Sequence, residues 1–132
     1  MDIKICGLRD EAMIRVAGEA GATWVGFVLF ERSPRNILGS GPTALNTLKS
    51  LSSYAKSQGL KSAVLLVDPA PNLITELLDI YTVDALQLHG TESPDFAAAV
   101  QHAAKGRTEV WKAMSVSSPE TVASLGAWEV DR

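Results

Sequence analysis

Residues 3–8, Ile3-Lys4-Ile5-Cys6-Gly7-Leu8, decide how the chain is read. The run is short and apolar, carries the sole cysteine of the sequence, and reaches a glycine where the backbone turns without a Cβ clash. It predicts a first strand that buries Ile3 and Ile5 and then releases the chain at Gly7. If this strand opens a parallel barrel, Cys6 stands at the rim where such folds keep their chemistry.

The pattern that follows supports that reading. Residues 10–20 predict a helix with Met13, Val16, Ala17 and Ala20 as its buried stripe, Asp10 as N-cap and Gly21 just past its end. Residues 24–30 are apolar on both faces, as a strand covered on both sides should be. A polar loop over 31–36 and a break over 39–42 lead to a helix from Thr43 to about Ser57, closed by Gly59. A third strand over 63–67 ends at Asp68-Pro69. Ile74, Leu77, Leu78 and Tyr81 mark a third helix.

A fourth strand, Ala85 to Leu88, runs into His89-Gly90-Thr91-Glu92-Ser93, and Phe96, Ala99, Val100 and Ala103 mark the helix after it. Residues 110–114 form a fifth strand. Ser118-Pro119 caps and starts a fifth helix, and Val130-Asp131-Arg132 opens a sixth strand.

Five strand–helix units in alternation imply parallel pairing with right-handed crossovers. An open doubly wound sheet and a closed barrel both satisfy that order. The open sheet calls for Gly-x-Gly-x-x-Gly after its first strand, which Cys6-Gly7-Leu8-Arg9-Asp10-Glu11 does not supply. The fold class expected is therefore α/β, a parallel (βα)8 barrel type. The 132 residues form a single partial domain, about the first five βα units plus the start of strand six.

Composition narrows the function classes. Net charge is −3 with both signs scattered, which excludes the basic face that binds nucleic acid. No apolar run reaches the roughly 20 residues that span a bilayer, no secretion leader is expected, and one cysteine cannot form an internal disulfide. A soluble, cytoplasmic protein is expected. No metal-ligand spacing of Cys and His is present, so no metal is expected.

Few side chains carry chemistry, and each has a plain alternative. Cys6 is either a small buried apolar group or a reactive thiol at a strand end. Arg35, stiffened by Pro34, is either a solvated arginine or a fork for a substrate carboxylate. His89 caps its loop, orients substrate or tunes the thiol. Gln87 shares its face, and an amide pointing into a barrel needs a partner. Lys112, inside a strand, must be paired or lie at the pocket. Asp68 reads as a turn residue and His102 as solvated.

Taken together, Lys4-Ile5-Cys6-Gly7, Gly21-Ala22 with Val25-Gly26-Phe27-Val28, Ser33-Pro34-Arg35 and Gln87-Leu88-His89-Gly90 resemble phosphoribosylanthranilate isomerase. The motifs stand in the family's order and approximate spacing, from the start of the chain to its end.

The resemblance implies an enzyme of tryptophan biosynthesis. It would catalyse the Amadori rearrangement of N-(5-phosphoribosyl)anthranilate to 1-(2-carboxyphenylamino)-1-deoxyribulose 5-phosphate, with no cofactor or metal. It implies Cys6 as the general base, Arg35 as the grip on the anthranilate carboxylate, and Gln87 and His89 as pocket lining. The family's general acid, an aspartate inside strand six, and its phosphate loops after strands seven and eight lie outside these residues; Asp131 is not that acid. Asn36 stands where the family often has an aromatic residue or histidine. The chain alone is accordingly expected to be weakly active or inactive.

Two other readings stay open. One is a non-catalytic half-barrel that self-associates through its exposed sheet edges. The other is a different phosphate-binding barrel enzyme.

Overall fold

A computed structural model describes residues 1–37 and 42–132. Its five strands are β1 (Lys4–Cys6), β2 (Trp24–Val28), β3 (Lys61–Leu66), β4 (Ala85–Leu88) and β5 (Glu109–Lys112). All pair in parallel, in the order of the sequence. Between and after them run α1 (Glu11–Glu19), α2 (Pro42–Ser57), α3 (Pro71–Leu78), α4 (Pro94–Ala104) and α5 (Pro119–Ala123), the last continued by a 3-10 turn over Ser124–Ala127. Consecutive strands lying side by side, each joined through a helix, form a barrel-type (βα) sheet of five strands. Val130-Asp131-Arg132 runs beside β5, its backbone bonded to Val110 and Lys112, without adding a strand. The break expected over 39–42 lies mostly outside the described residues, and Pro42 already belongs to α2.

The helices start where side chains satisfy free backbone N–H groups. Asp10 accepts from Met13 N, Ser93 from Phe96 N and Ser118 from Thr121 N, each with helical backbone beginning at the next residue. Proline is the first residue of α3, α4 and α5, where its missing N–H costs nothing.

Strand parity divides the core. Val25, Phe27, Val64, Leu66, Leu86, Leu88 and Val110 face the helices, joined there by Ile14, Leu48, Leu51, Ile74, Leu77, Ala97 and Val100. The inner face holds a second cluster of Trp24, Ala63, Ala85 and Trp111. Its two indoles pack 4.7 Å apart at 60°. Lys61 and Arg132 cover these rings from the N-terminal end of the sheet, so small residues on β3 and β4 make room for large ones on β2 and β5.

Several expectations need correction. Ile3 and Ile5 are not buried; they are 39% and 41% exposed. Lys4 and Cys6 take the inner face, so alternation sends both isoleucines outward from an edge strand with a neighbour on one side only. On α1 the buried residues are Ile14 and Ala17, whereas Met13, Val16 and Ala20 are exposed. Together with Ile5 and Leu8 these three residues line an apolar groove of about 610 Å³. Tyr81 is 72% exposed because α3 has already ended at Leu78. In α4 the buried stripe is Ala97, Val100 and Ala104, rotated from the expected one, with Phe96 half-buried.

Candidate functional site at the C-terminal rim

The inner face carries Lys4 and Cys6 on β1, with Gln87 on β4 reaching the same ground. Lys4 Nζ donates to Gln87 Oε1 and lies 5.4 Å from the centre of the Trp111 ring. The partner that the Gln87 amide requires is therefore Lys4, a residue the sequence reading had not singled out. Alternation offered the signal, since residues 4 and 6 of one strand share a face. Burial holds the Lys4 amine below its ordinary range, and the charge interaction with Cys6 pulls partly in the other direction.

Cys6 is a free, half-buried thiol. Its strand partner is Gly26, and a Cβ on residue 26 would lie 2.7 Å from Sγ and 3.0 Å from the Cys6 Cα. Glycine at position 26 is what lets the sulfur sit against β2. The next residue, Gly7, has φ +87°, and its backbone N–H bonds Gly26 O at 2.9 Å.

Arg35 reaches this point from the loop after β2. Its Cδ lies 2.5 Å from where a Cβ on residue 7 would stand, so its stem occupies the space the glycine leaves open. The loop is tied down locally. Arg35 N donates to Ser33 Oγ at 3.1 Å, Arg9 Nη1 to Pro34 O at 3.3 Å, and Phe30 N to Asn36 Oδ1 at 2.9 Å. Asn36 thereby serves the loop's backbone, with an isolated bridge to Val28. Arg35 itself is exposed.

His89 follows β4 directly and is exposed, with its N–H donated to Leu66 O at 2.8 Å. It lines a cavity of about 360 Å³ with Gly90, Lys112, Met114, Ser115 and Trp128. Thus Gln87 is tied to Lys4 on the face that carries Cys6, Arg35 packs on the adjacent Gly7, and His89 lines the cavity beside Lys112.

Lys112 is resolved as paired. Its Nζ meets Glu92 Oε2 at 2.6 Å and Gly90 O at 2.8 Å. Asp68 does more than turn the chain: Oδ1 accepts from Thr91 N at 2.7 Å and Thr91 Oγ1 at 3.0 Å. Asp131 Oδ2 accepts from Val110 N at 2.7 Å, which commits that carboxylate to the end of the sheet. Among the described residues no group of three or more His, Cys, Asp or Glu side chains could hold a metal ion. No helix among them is long and apolar enough to cross a membrane.

No protein-family model matches the chain. Among curated proteins it is 37% identical over 126 residues to N-(5'-phosphoribosyl)anthranilate isomerase of Rhodopseudomonas palustris (strain BisB5), a match covering 96% of this chain and 54% of that one. Among solved structures, a phosphoribosylanthranilate isomerase from Thermotoga maritima, described as mutually generated monomers of a dimeric enzyme, superposes with a TM-score of 0.75. The identity there is 25%, over 96% of this chain and 60% of that one. Another, solved with reduced 1-(o-carboxyphenylamino)-1-deoxyribulose 5-phosphate, gives a TM-score of 0.72 at 24% identity, over 93% and 58% of the two chains. The chain spans little more than half the length of the relatives it matches. Over nearly all its residues, the chain is similar to part of the N-(5'-phosphoribosyl)anthranilate isomerases, and its sheet matches their barrel-type fold.

Proposed function

We propose that the chain carries the base and the anthranilate grip of an N-(5'-phosphoribosyl)anthranilate isomerase. The reaction is an Amadori rearrangement: protonation opens the furanose ring to an iminium, a base removes the C2 proton, and the enolamine tautomerises to the ketose. Atoms and electrons are conserved, so the chemistry needs only proton transfers. Cys6 is the base. Arg35 holds the substrate carboxylate through its planar fork. Gln87 and His89 line the pocket, and Lys4 supplies the positive charge on the thiol's own face.

One observation carries the reading: the Arg35 stem packs on the glycine that directly follows the thiol. That contact supports the reading, since it sets an arginine stem against the residue next to the candidate base. The proton donor for the ring oxygen is not assigned to these residues. Asp131, bonded to Val110 N, is held out of that role. The isolated chain should accordingly turn over its substrate slowly or not at all.

The test uses the fact that Cys6 is the sole thiol. Reduced 1-(o-carboxyphenylamino)-1-deoxyribulose 5-phosphate at about ten times its Kd should slow alkylation of Cys6 about tenfold, as expected when the bound form is protected. Arg35→Ala should abolish that protection. A thiol alkylated equally fast with and without saturating compound would overturn the assignment.

A second reading concerns association. The groove lined by Ile5, Leu8, Met13, Val16, Ala17 and Ala20 is apolar and lies beside the unpaired edge of β1. A second copy of the chain would cover it, which is the self-association the exposed edges suggest.

A further inference from the structure

Glu92 and Lys112 are a deeply buried charged pair at the rim, with side chains 2% and 6% exposed, and the proposed proton transfers use neither. A buried ion pair is weak grounds for stability, because desolvating both charges offsets most of their attraction. Its bonding pattern suggests another use. Glu92 Oε1 accepts from Asp68 N at 2.9 Å, both its oxygens accept from Gly90 N at 3.1 and 3.0 Å, and Oε2 accepts from Lys112 Nζ at 2.6 Å. Lys112 Nζ also donates to Gly90 O at 2.8 Å and sits 5.2 Å from the centre of the Trp128 ring.

One pair of side chains therefore ties together the turn after β3, the turn after β4 and the end of β5. The turns are built for it. Asp68 adopts φ +44°, a left-handed conformation uncommon outside glycine, and its carboxylate returns to Thr91 N and Oγ1. A Cβ on residue 90 would lie 2.6 Å from Asp68 Oδ1 and 2.7 Å from both its Cγ and its N, so only glycine lets the two turns meet. Register places Lys112 beside Leu88, on the helix side of the sheet. The pair thus grips the turn from behind, while His89 lies on the inner side.

We propose that Glu92 and Lys112 are positioning residues, a buried brace that fixes the His89-Gly90-Thr91 turn against the Asp68 turn. The value of that placement to catalysis rests on the isomerase reading. The placement itself does not, and the test below uses no substrate, so either can fail without the other.

Two amides report the brace without bonding to it: Thr91 N–H, held by Asp68, and His89 N–H, held by Leu66. Hydrogen exchange on the whole chain compares them with Phe27 and Val64 in the buried sheet. In the double variant Glu92→Leu, Lys112→Met, Thr91 and His89 should exchange about tenfold faster while Phe27 and Val64 stay unchanged, the mark of local rather than global opening. Lys112→Arg, which keeps the charge, should restore most of the protection. Unchanged Thr91 and His89 exchange in the double variant overturns the proposal. So does a rise shared equally by Phe27 and Val64, which would make the pair a prop for the whole fold. Should the double variant not fold, Lys112→Met alone replaces it, read by the same comparison under native conditions.

Discussion

Arg35 rests its side-chain stem on Gly7, with Cδ 2.5 Å from the position a Cβ would take. Gly7 also holds φ +87°, so two separate costs oppose any side chain there. Gly21 separates them, since it has φ +92° and nothing within 4 Å of its own Cβ position. Gly21→Ala should lose about 1–3 kcal/mol from backbone strain alone. Gly7→Ala should lose more, and should also weaken binding of the reduced reaction product by displacing Arg35. Denaturant midpoints and a binding titration measure the two effects. Equal losses in both variants, with binding intact, would mean that the Arg35 contact is incidental.

Arg35→Lys keeps a positive charge but not the planar fork. A charge-assisted hydrogen bond contributes about 1.5–3 kcal/mol, so losing one of two predicts binding weakened about ten- to hundredfold. Titration of the reduced product analogue against both proteins measures this. Equal affinity would show that charge suffices and that the fork has no carboxylate to hold.

Much of the fold could be read from the chain, and the misses share a cause. Alternating strand and helix patterns gave the element order, and the glycine after Cys6 pointed to the rim. Neighbour identity was hidden. Ile3 and Ile5 read as core because they are apolar, yet β1 has a strand on one side only and its inner face belongs to Lys4 and Cys6. On α1 Met13, Val16 and Ala20 line the groove, and Ile14 with Ala17 is buried against the core. Periodicity finds a helix but does not say which apolar face has something to pack against. The Glu92–Lys112 pair lies 20 residues apart in sequence, and pairing at that distance leaves no local pattern.

Lys4 makes a prediction about pH. Burial lowers its pKa below 10.5, so the unfolded chain holds this proton to higher pH than the native one does. In the window between the lowered native value and 10.5 the unfolded state binds more protons, and stability contributed by this group rises with pH. Below the native value both states are charged and the contribution is flat. Lys4→Met should remove that rise, so the stability difference between the two proteins should shift in favour of the native sequence as pH climbs towards 10.5. Urea midpoints across the alkaline range measure it. A difference independent of pH would mean that the amine is as well solvated in the folded chain as in the unfolded one.

The groove beside β1 offers the last test. Val16 is 55% exposed and Met13 42%, both lining an apolar surface next to unpaired strand backbone. Burying one such side chain contributes about 1.5–3 kcal/mol, and a symmetric contact counts it twice. If a second copy covers the groove, light scattering should show a mass that rises with concentration. Val16→Lys should return the chain to monomer, because a lysine there would have to desolvate its charge against Ile5 and Leu8. Neither Cys6 nor Arg35 lines the groove, so protection of the thiol by the product analogue should survive the substitution. A wild-type chain that stays monomeric at all concentrations would rule out self-association through this edge.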